Sequence, residues 1–541
     1  MKSTAAEAIL KIIEQQGVGV VFGYPGAANT PIYDSICHTG LRYILTRNEQ
    51  GAAHAASSYF KMTGRVGVCL ATSGPGATNL VTGIANAYMD SIPLVAITGQ
   101  VDRSLVGKDA FQEVDVTGVT TPITKHNYLA SNAEEVPRII SEAFYIAGTG
   151  RPGPVVVDVP MDVQLQLIDF EPPGKPEIRG YRPDIPVDQK QVRLLAKAIK
   201  KAKRPLIVAG GGVLTAGASA ELARLCEQIG LPAVSTLMGV SALPSAHRQY
   251  LGMSGLHGNA AANAAFSRAD LLIFAGARVS DRSVSDGRAL SARATVAHID
   301  IDPAEINKNV PSDISIAGNL RDVLALLTEY TTAISCAKEW LEEYAEFKRE
   351  NIPEYRSGIG TVNPKYFLQR LSAAAGPDAV VATEVGQNQI WTANYYSFTR
   401  PNTFLTSGGF GTMGYGLPAA IGAKIARPEL TVIAVEGDGS FQMSMPELGT
   451  MKQWGADLKI VVFVNRVLGM VREQQQLHFH SNFVSVDLGE YPRFDKIAAA
   501  YDIPYRSVSA DSEVDAAICA MLETDGAFLL EVAVDKEEST L

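Results

Sequence analysis

Short apolar runs that stop at glycine or serine recur along this chain, and that rhythm restricts it to parallel sheets covered by helices. Val66–Ala71, Pro205–Ala209, Leu271–Ala275 and Thr431–Val435 are each too short for a buried helix, and Gly/Ser turns and helical spacing follow them. Strands read as continuous apolar runs when helices bury both faces of a parallel sheet. A length of 541 residues suits three or four units at ~150 residues each. Two stretches break the rhythm. Residues 171–186 hold Pro172, Pro173, Pro176, Pro183 and Pro186 and predict an exposed linker. Residues 331–363 predict a charged helix over 338–349, then Pro353 and a Gly-rich turn. The expected fold is therefore α/β, three doubly wound parallel-sheet domains over 1–165, 187–330 and 364–541, with no short-period repeat.

Charge and cysteine usage exclude several function classes. A net charge of −10 argues against nucleic-acid binding, and no uncharged apolar run is long enough to span a membrane. Residues 1–16 place Glu7, Lys11 and Glu14 among apolar residues at helical spacing, which predicts an amphipathic surface helix and not a targeting peptide. Five cysteines, odd in number and without a close pair, fit thiols in a reducing cytoplasm better than a disulfide framework or a zinc site.

The run ending at Val435 leads into Gly437-Asp438-Gly439-Ser440, and the next, Leu458 to Val464, leads into Asn465. A strand ending this way presents a carboxylate and free N–H groups at a sheet edge, where a diphosphate meets the following helix, expected over 443–454. Asp438 and Asn465 are then hard oxygen donors on neighbouring strand ends, suited to Mg²⁺ bridging a diphosphate. Gly-Asp-Gly alone is equally an ordinary turn; the second strand end, after residues 440–464, is what sharpens it. The pair resembles the thiamine diphosphate fingerprint, Gly-Asp-Gly, about 25 residues, then Asn-Asn. Val464 replaces the first asparagine, and Asn465 retains the one that ligates metal in that family. The resemblance implies the Val467 carbonyl as third metal ligand, with Gly439 and Ser440 beside the cofactor.

Further motifs extend the likeness over nearly the whole chain. They include Gly23-Tyr24-Pro25-Gly26, Arg47 to His54, Thr72 to Asn79, Asp109 to Glu113, Arg151 to Val155, His298 to Pro303, Gly408 to Pro418 and Leu468 to Arg472. Together they resemble the large subunits of the acetohydroxyacid (acetolactate) synthase family. That resemblance implies a pyrimidine-binding domain, a central FAD-type domain and a diphosphate- and Mg²⁺-binding domain. It also implies 2-keto acid substrates, in branched-chain amino acid biosynthesis: pyruvate is decarboxylated on thiamine diphosphate and the hydroxyethyl unit passes to pyruvate or 2-ketobutyrate. Active sites between subunits imply a homodimer or homotetramer, with a regulatory small subunit as a possible partner.

By the same resemblance Glu49 is the acid that holds N1′ of the cofactor pyrimidine, driving its 4′-amino group to the imino form. The residues themselves suggest a glutamate on a loop among Gly51, Ala52 and Ala53, buried by its small neighbours; a surface glutamate at a strand end is the plainer alternative. Gly411 would offer its carbonyl to the 4′-amino group, Met413 would support the bent cofactor, and Gly386, Gln387 and Asn388 would contact the diphosphate. The flavin set implied is Arg151, Gly210, Gly211, Gly212, Leu237, Met238, His257, Gly276, Arg278, Arg282, Asp300 and Ile301. Phe111, Gln112, Met470 and Gln474 would line the substrate site, with Gln112 and Arg282 also taking catalytic parts, Arg282 by holding the acceptor carboxylate.

Departures from the family pattern gather where the acceptor would sit. Gln474 stands where most members have Trp, Met161 replaces Lys, and Ala27 and Asn29 alter the loop after Pro25. Asn48 and Asn388 replace histidines, and Ser280 an aspartate. The alternative they raise is a related carboligase using a bulkier or different 2-keto acid. A simple 2-keto acid decarboxylase is disfavoured by Arg282 and the flavin set, and a non-catalytic binding protein by Glu49, Asp438 and Asn465.

Overall fold

Three six-stranded sheets, parallel throughout, organise the chain. A computed structural model describes residues 2–284, 286–350, 355, 357–490 and 492–540; Pro353 of the second linker lies outside these. In spatial order the first sheet runs Arg42–Leu45, Val20–Gly23, Gly67–Ala71, Leu94–Gln100, Pro154–Pro160, His126–Leu129. The second runs Tyr250–Met253, Ala233–Ser235, Pro205–Ala209, Leu271–Ala275, Thr295–Asp300, Ile314–Ala317, and the third Phe404–Leu405, Val380–Thr383, Val432–Gly437, Lys459–Val464, Phe528–Ala533, Tyr505–Val508. Numbering strands within each sheet in chain order, the first and third share the order 2-1-3-4-6-5, while the second has 3-2-1-4-5-6. The apolar runs become strands because helices cover both faces: every residue of Leu94–Gln100, Pro154–Pro160 and Lys459–Val464 is buried.

The first helix, Ala5–Gln15, starts in a capping box in which Thr4 accepts from Glu7 N and the Glu7 carboxylate accepts from Thr4 N. It is amphipathic as expected: seven residues, among them Ile9, Leu10, Ile12 and Ile13, are buried in the first unit, while Glu7 and Lys11 are half-buried and Glu14 is exposed. Strand Lys2–Thr4 precedes it and pairs antiparallel with Leu167–Asp169, joining the chain start to the end of that unit. Residues 171–186 form no regular structure and are mostly exposed, as a proline-rich linker should. The charged helix is Lys338–Glu350. All five cysteines are free thiols. Among the described residues no helix is long and apolar enough to cross a membrane.

The first and third units share one hydrophobic core, in which Phe22 and Ile84 meet Leu417, Phe441 and Phe494. At its centre helix Glu49–Thr63 lies against helix Gly416–Ala426. Small residues line both helices in this core, Ala52, Ala55 and Ala56 on one and Ala419, Ala420 and Ala423 on the other. Gly422 sits where any Cβ would run into the Ala55 carbonyl, so the backbones approach closely and the start of the Glu49 helix is rigidly placed.

Candidate active site

Parallel register sets Gly437 opposite Phe463, which brings Asp438 and Asn465 just beyond two neighbouring strand ends. Helix Asp438–Ser444 begins there directly. The single helix expected over 443–454 is corrected: it starts five residues earlier and breaks at Pro446, where a short 3-10 turn, Met445–Glu447, leads into Leu448–Trp454. Proline supplies no N–H to continue the first helix. Ser440 Oγ donates to the Gly437 carbonyl at 3.2 Å, closing the turn.

Asp438 is buried and accepts from Arg466 N at 2.7 Å and from its neighbour Gly439 N at 3.0 Å. Burial pushes its carboxyl up to about 6 despite these donors. Arg466 has φ +61, a left-handed turn that folds the chain back so its N–H faces Asp438. Asn465 Nδ2 donates to Gln387 Oε1 at 2.9 Å, and Asn465 Oδ1 accepts from Val467 N at 3.2 Å. Val467 pairs with Asp487 in an antiparallel bridge. Gln387 is committed inward: its Nε2 donates to Glu473 at 2.6 Å and to the Glu538 carbonyl at 2.8 Å. Asn388 Nδ2 donates to the Val435 and Glu384 carbonyls, so its side chain ties the strand ends together. Gly386 precedes helix Gln387–Tyr395. Helix Gly469–His478 carries Met470 and Gln474, both half-buried, beside the buried Glu473.

The Gly408–Gly416 loop opens helix Gly416–Ala426, as its glycines predict. Side chains that belong to no sequence motif hold it. Asp90 accepts from Gly409 N at 2.7 Å, and Asn86 receives the Ser407 and Thr412 hydroxyls. Glu384 accepts from Gly414 N and Gly416 N. Burial pushes Glu384 up to about 7, and Glu436, buried against it, well above the usual carboxylate range. Gly411 is exposed with φ +69, and Met413 is half-buried.

On the first unit, Glu49 is the first residue of helix Glu49–Thr63, which corrects the loop placement. Asn48 caps that helix, its Oδ1 accepting from Gln50 N at 2.8 Å. Glu49 is buried, and its Oε2 accepts from Asn79 Nδ2 at 2.9 Å. Its Oε1 faces Gly76, where a Cβ would come within 3.1 Å. The turn before it is held from the third unit: Glu447 accepts from Arg47 N and Asn48 N, each at 3.0 Å. Gln112 has φ +60, and a Cβ at Gly74 would lie 2.7 Å from its carbonyl; Phe111 beside it is 86% exposed. Asn29 closes its own loop, accepting from Gly26 N at 2.8 Å.

The central glycines follow the two adjacent strands, Pro205–Ala209 and Leu271–Ala275, between which the strand order of the second sheet reverses. Gly210 and Gly212 back onto Gly276 with no room for a Cβ on either. Met238 of the turn Leu237–Gly239 abuts Gly408, and a Cβ on Gly409 would lie 2.5 Å from Arg278 Nη2. Arg151 pairs with Glu305 at 2.7 Å and Asp302 at 3.3 Å. Asp300, at the end of its strand, accepts from Asp302 N at 2.9 Å, and burial pushes it up to about 6; Ile301 follows it. His257 Nδ1 lies 3.2 Å from the Thr540 hydroxyl. Arg282 is 70% exposed, 3.8 Å from Asp281. Among the described residues no three His, Cys, Asp or Glu side chains gather as a metal cluster. An Asp, an Asn and a backbone carbonyl make no such cluster, and Mg²⁺ that shares a diphosphate needs only one or two protein carboxylates.

Residues 3–119 match the N-terminal TPP binding domain of thiamine pyrophosphate enzymes, residues 192–327 their central domain, and residues 384–532 their C-terminal TPP binding domain. A probable acetolactate synthase large subunit of Methanocaldococcus jannaschii is 44% identical over 547 residues, covering 99% of this chain and 92% of its own. The acetolactate synthase of Mycobacterium leprae is 46% identical over 510 residues, 92% of this chain and 81% of its own. The acetolactate synthase isozyme 2 large subunit of Escherichia coli is 43% identical over 534 residues, 99% and 96%.

Proposed function

The chain belongs to the acetolactate synthase large-subunit family of thiamine pyrophosphate enzymes, and from that membership we propose how its own residues divide the work. The reaction decarboxylates pyruvate and joins the remaining two-carbon unit to the keto carbon of a second 2-keto acid, as in branched-chain amino acid biosynthesis. The observation that carries the assignment is the pairing of Asp438 and Asn465 on adjacent strand ends, in a chain similar over nearly its whole length to acetolactate synthases of several organisms.

Thiamine diphosphate, when bound, would supply a thiazolium carbon acid whose deprotonated form is the nucleophile for a 2-keto acid carbonyl. Asp438, the Asn465 side-chain oxygen and the Val467 carbonyl would hold Mg²⁺, a buried carboxylate and two neutral oxygens being the hard donors such an ion takes. Gly386, Gln387 and Asn388 serve the diphosphate through the open N–H groups of a helix start, since both side chains are engaged elsewhere. Glu49 holds a proton for the pyrimidine on Oε1, because Asn79 occupies Oε2. Gly411 and Met413 cradle the aminopyrimidine. Phe111 and Gln112 stand at the mouth on the first unit, and Phe111 is too exposed for a finished surface. From the family membership we read a homodimer as the minimal unit, residues 1–165 of one chain completing residues 364–541 of another, and place it in the cytoplasm. A homotetramer or a regulatory small subunit would build on that dimer.

For the central unit, residues 187–330, we assign FAD. The support is the 3-2-1-4-5-6 strand order, whose reversal point suits a dinucleotide, with Gly210 to Gly212 and Gly276 at that point. Acyl transfer involves no net redox change, so the flavin is structural. The purified enzyme is expected to carry or take up FAD and to leave its absorbance unchanged during pyruvate turnover. A flavin-free, fully active enzyme would overturn the assignment.

Acceptor choice follows from Gln474, which is smaller and more polar than an indole, with Arg282 holding the acceptor carboxylate. An indole pressing on the extra methyl of 2-ketobutyrate would change selectivity by about 10–200-fold. The expected result is weak discrimination between pyruvate and 2-ketobutyrate, increased by Gln474→Trp. Product ratios from the two acceptors in competition measure this. Strong native preference for 2-ketobutyrate would refute the role of Gln474, and failure to form acetolactate would favour the carboligase with a bulkier acceptor.

A further inference from the structure

We infer that Glu384 is a positioning residue whose carboxylate sets the shape of the cofactor-cradling loop; this rests on reading Gly411 and Met413 as that cradle. Glu384 directly follows strand Val380–Thr383, and its own N–H donates to the Val435 carbonyl at 3.0 Å, so its backbone belongs to the rigid sheet. Its side chain is fully buried. The two carboxylate oxygens divide between two loop donors on either side of Tyr415: one accepts from Gly414 N at 2.8 Å, the other from Gly416 N at 2.9 Å. Gly414 has φ +92, a conformation these bonds help to hold. A Cβ on Gly416 would lie 2.8 Å from Glu384 N and 2.8 Å from Glu436 Oε1, so the loop is seated against the carboxyl pair with no spare room. At its other end Asp90, from the first unit, accepts from Gly409 N at 2.7 Å. The segment between these pins contains Gly411 and Met413.

A two-oxygen acceptor is required here. An amide of the same shape would set an NH₂ against one of the two N–H groups, a donor facing a donor at a fully buried side chain. The loop would shift at Gly414 or Gly416, and the aminopyrimidine half of the cofactor would lose its seat. The diphosphate half, held at Asp438, Asn465 and the Gln387 helix, would keep its own. A merely structural role would lower stability and leave the two halves equally bound.

The test is calorimetric titration of the purified full chain with thiamine diphosphate and, separately, with inorganic diphosphate, both with Mg²⁺. The variants are Glu384→Gln, Met413→Ala and Gly414→Ala. Glu384→Gln is expected to weaken thiamine diphosphate binding by about 10-fold or more, the usual scale for a buried charge-assisted hydrogen bond, and to leave inorganic diphosphate binding unchanged. Gly414→Ala disturbs the same N–H from the loop side and should give the same pattern, which keeps the inference testable if Glu384→Gln does not fold. Weakening by Met413→Ala with none by Glu384→Gln would overturn the positioning role while sparing the cradle. No effect from Met413→Ala or Glu384→Gln would remove the cradle and the inference with it. Equal losses for both ligands in Glu384→Gln would make the residue structural only.

Discussion

Asp438→Ala should leave a folded protein that no longer retains thiamine diphosphate. The substitution removes a buried carboxylate from the end of strand Val432–Gly437, where it is the one acidic member of the proposed Mg²⁺ ligand set. A diphosphate brought to this sheet edge without its bridging cation meets few compensating charges, so affinity should fall by at least ~100-fold, in keeping with the dominant charge of a bound metal. Stability should suffer less. Arg466 N loses its 2.7 Å acceptor, and one unsatisfied N–H costs about 1–3 kcal/mol. Equilibrium dialysis against thiamine diphosphate, beside thermal melting of the cofactor-free protein, separates the two effects. Chelating Mg²⁺ from the native enzyme should release the cofactor, and restored Mg²⁺ should recover it in the native enzyme but not in the variant. Near-native binding by the variant would return the Gly-Asp-Gly turn to an ordinary one.

The second large effect is on turnover. Glu49→Gln keeps the shape of the side chain and the contact with Asn79, whose Nδ2 now donates to the amide oxygen. It removes the acidic proton that Oε1 would present, so thiamine diphosphate should still bind while the steady-state rate falls by ~100-fold or more, the usual scale of acid–base catalysis. Mixing this variant with Asp438→Ala during co-expression is informative. If the first unit of one chain completes the third unit of another, mixed dimers contain one intact site and activity returns. Native turnover by Glu49→Gln alone would make the residue a helix-start glutamate without a chemical part.

Local pattern carried much of this and failed in recognisable places. Apolar runs bounded by glycine mark parallel strands wherever both faces are covered, and Asp438 and Asn465 fall on adjacent strand ends because their runs are sequential neighbours in one sheet. Helix starts were harder. Asp438 and Glu49 each open a helix, although the glycines beside them read as turn or loop. The largest gap concerns Glu384, Glu447 and Asp90. Each is a lone acidic residue in sequence and acquires its meaning from backbone N–H groups 30, 400 and 319 residues away. No local window contains such a pairing. Asn388 shows the same limit, since a side chain that could reach a ligand is instead spent on the Val435 carbonyl.

The most direct test is the stoichiometry of turnover by the purified chain with pyruvate alone, thiamine diphosphate and Mg²⁺. Acetolactate as the product, with two pyruvates consumed for each carbon dioxide released, is the predicted result. Acetaldehyde with one pyruvate consumed per carbon dioxide would contradict it.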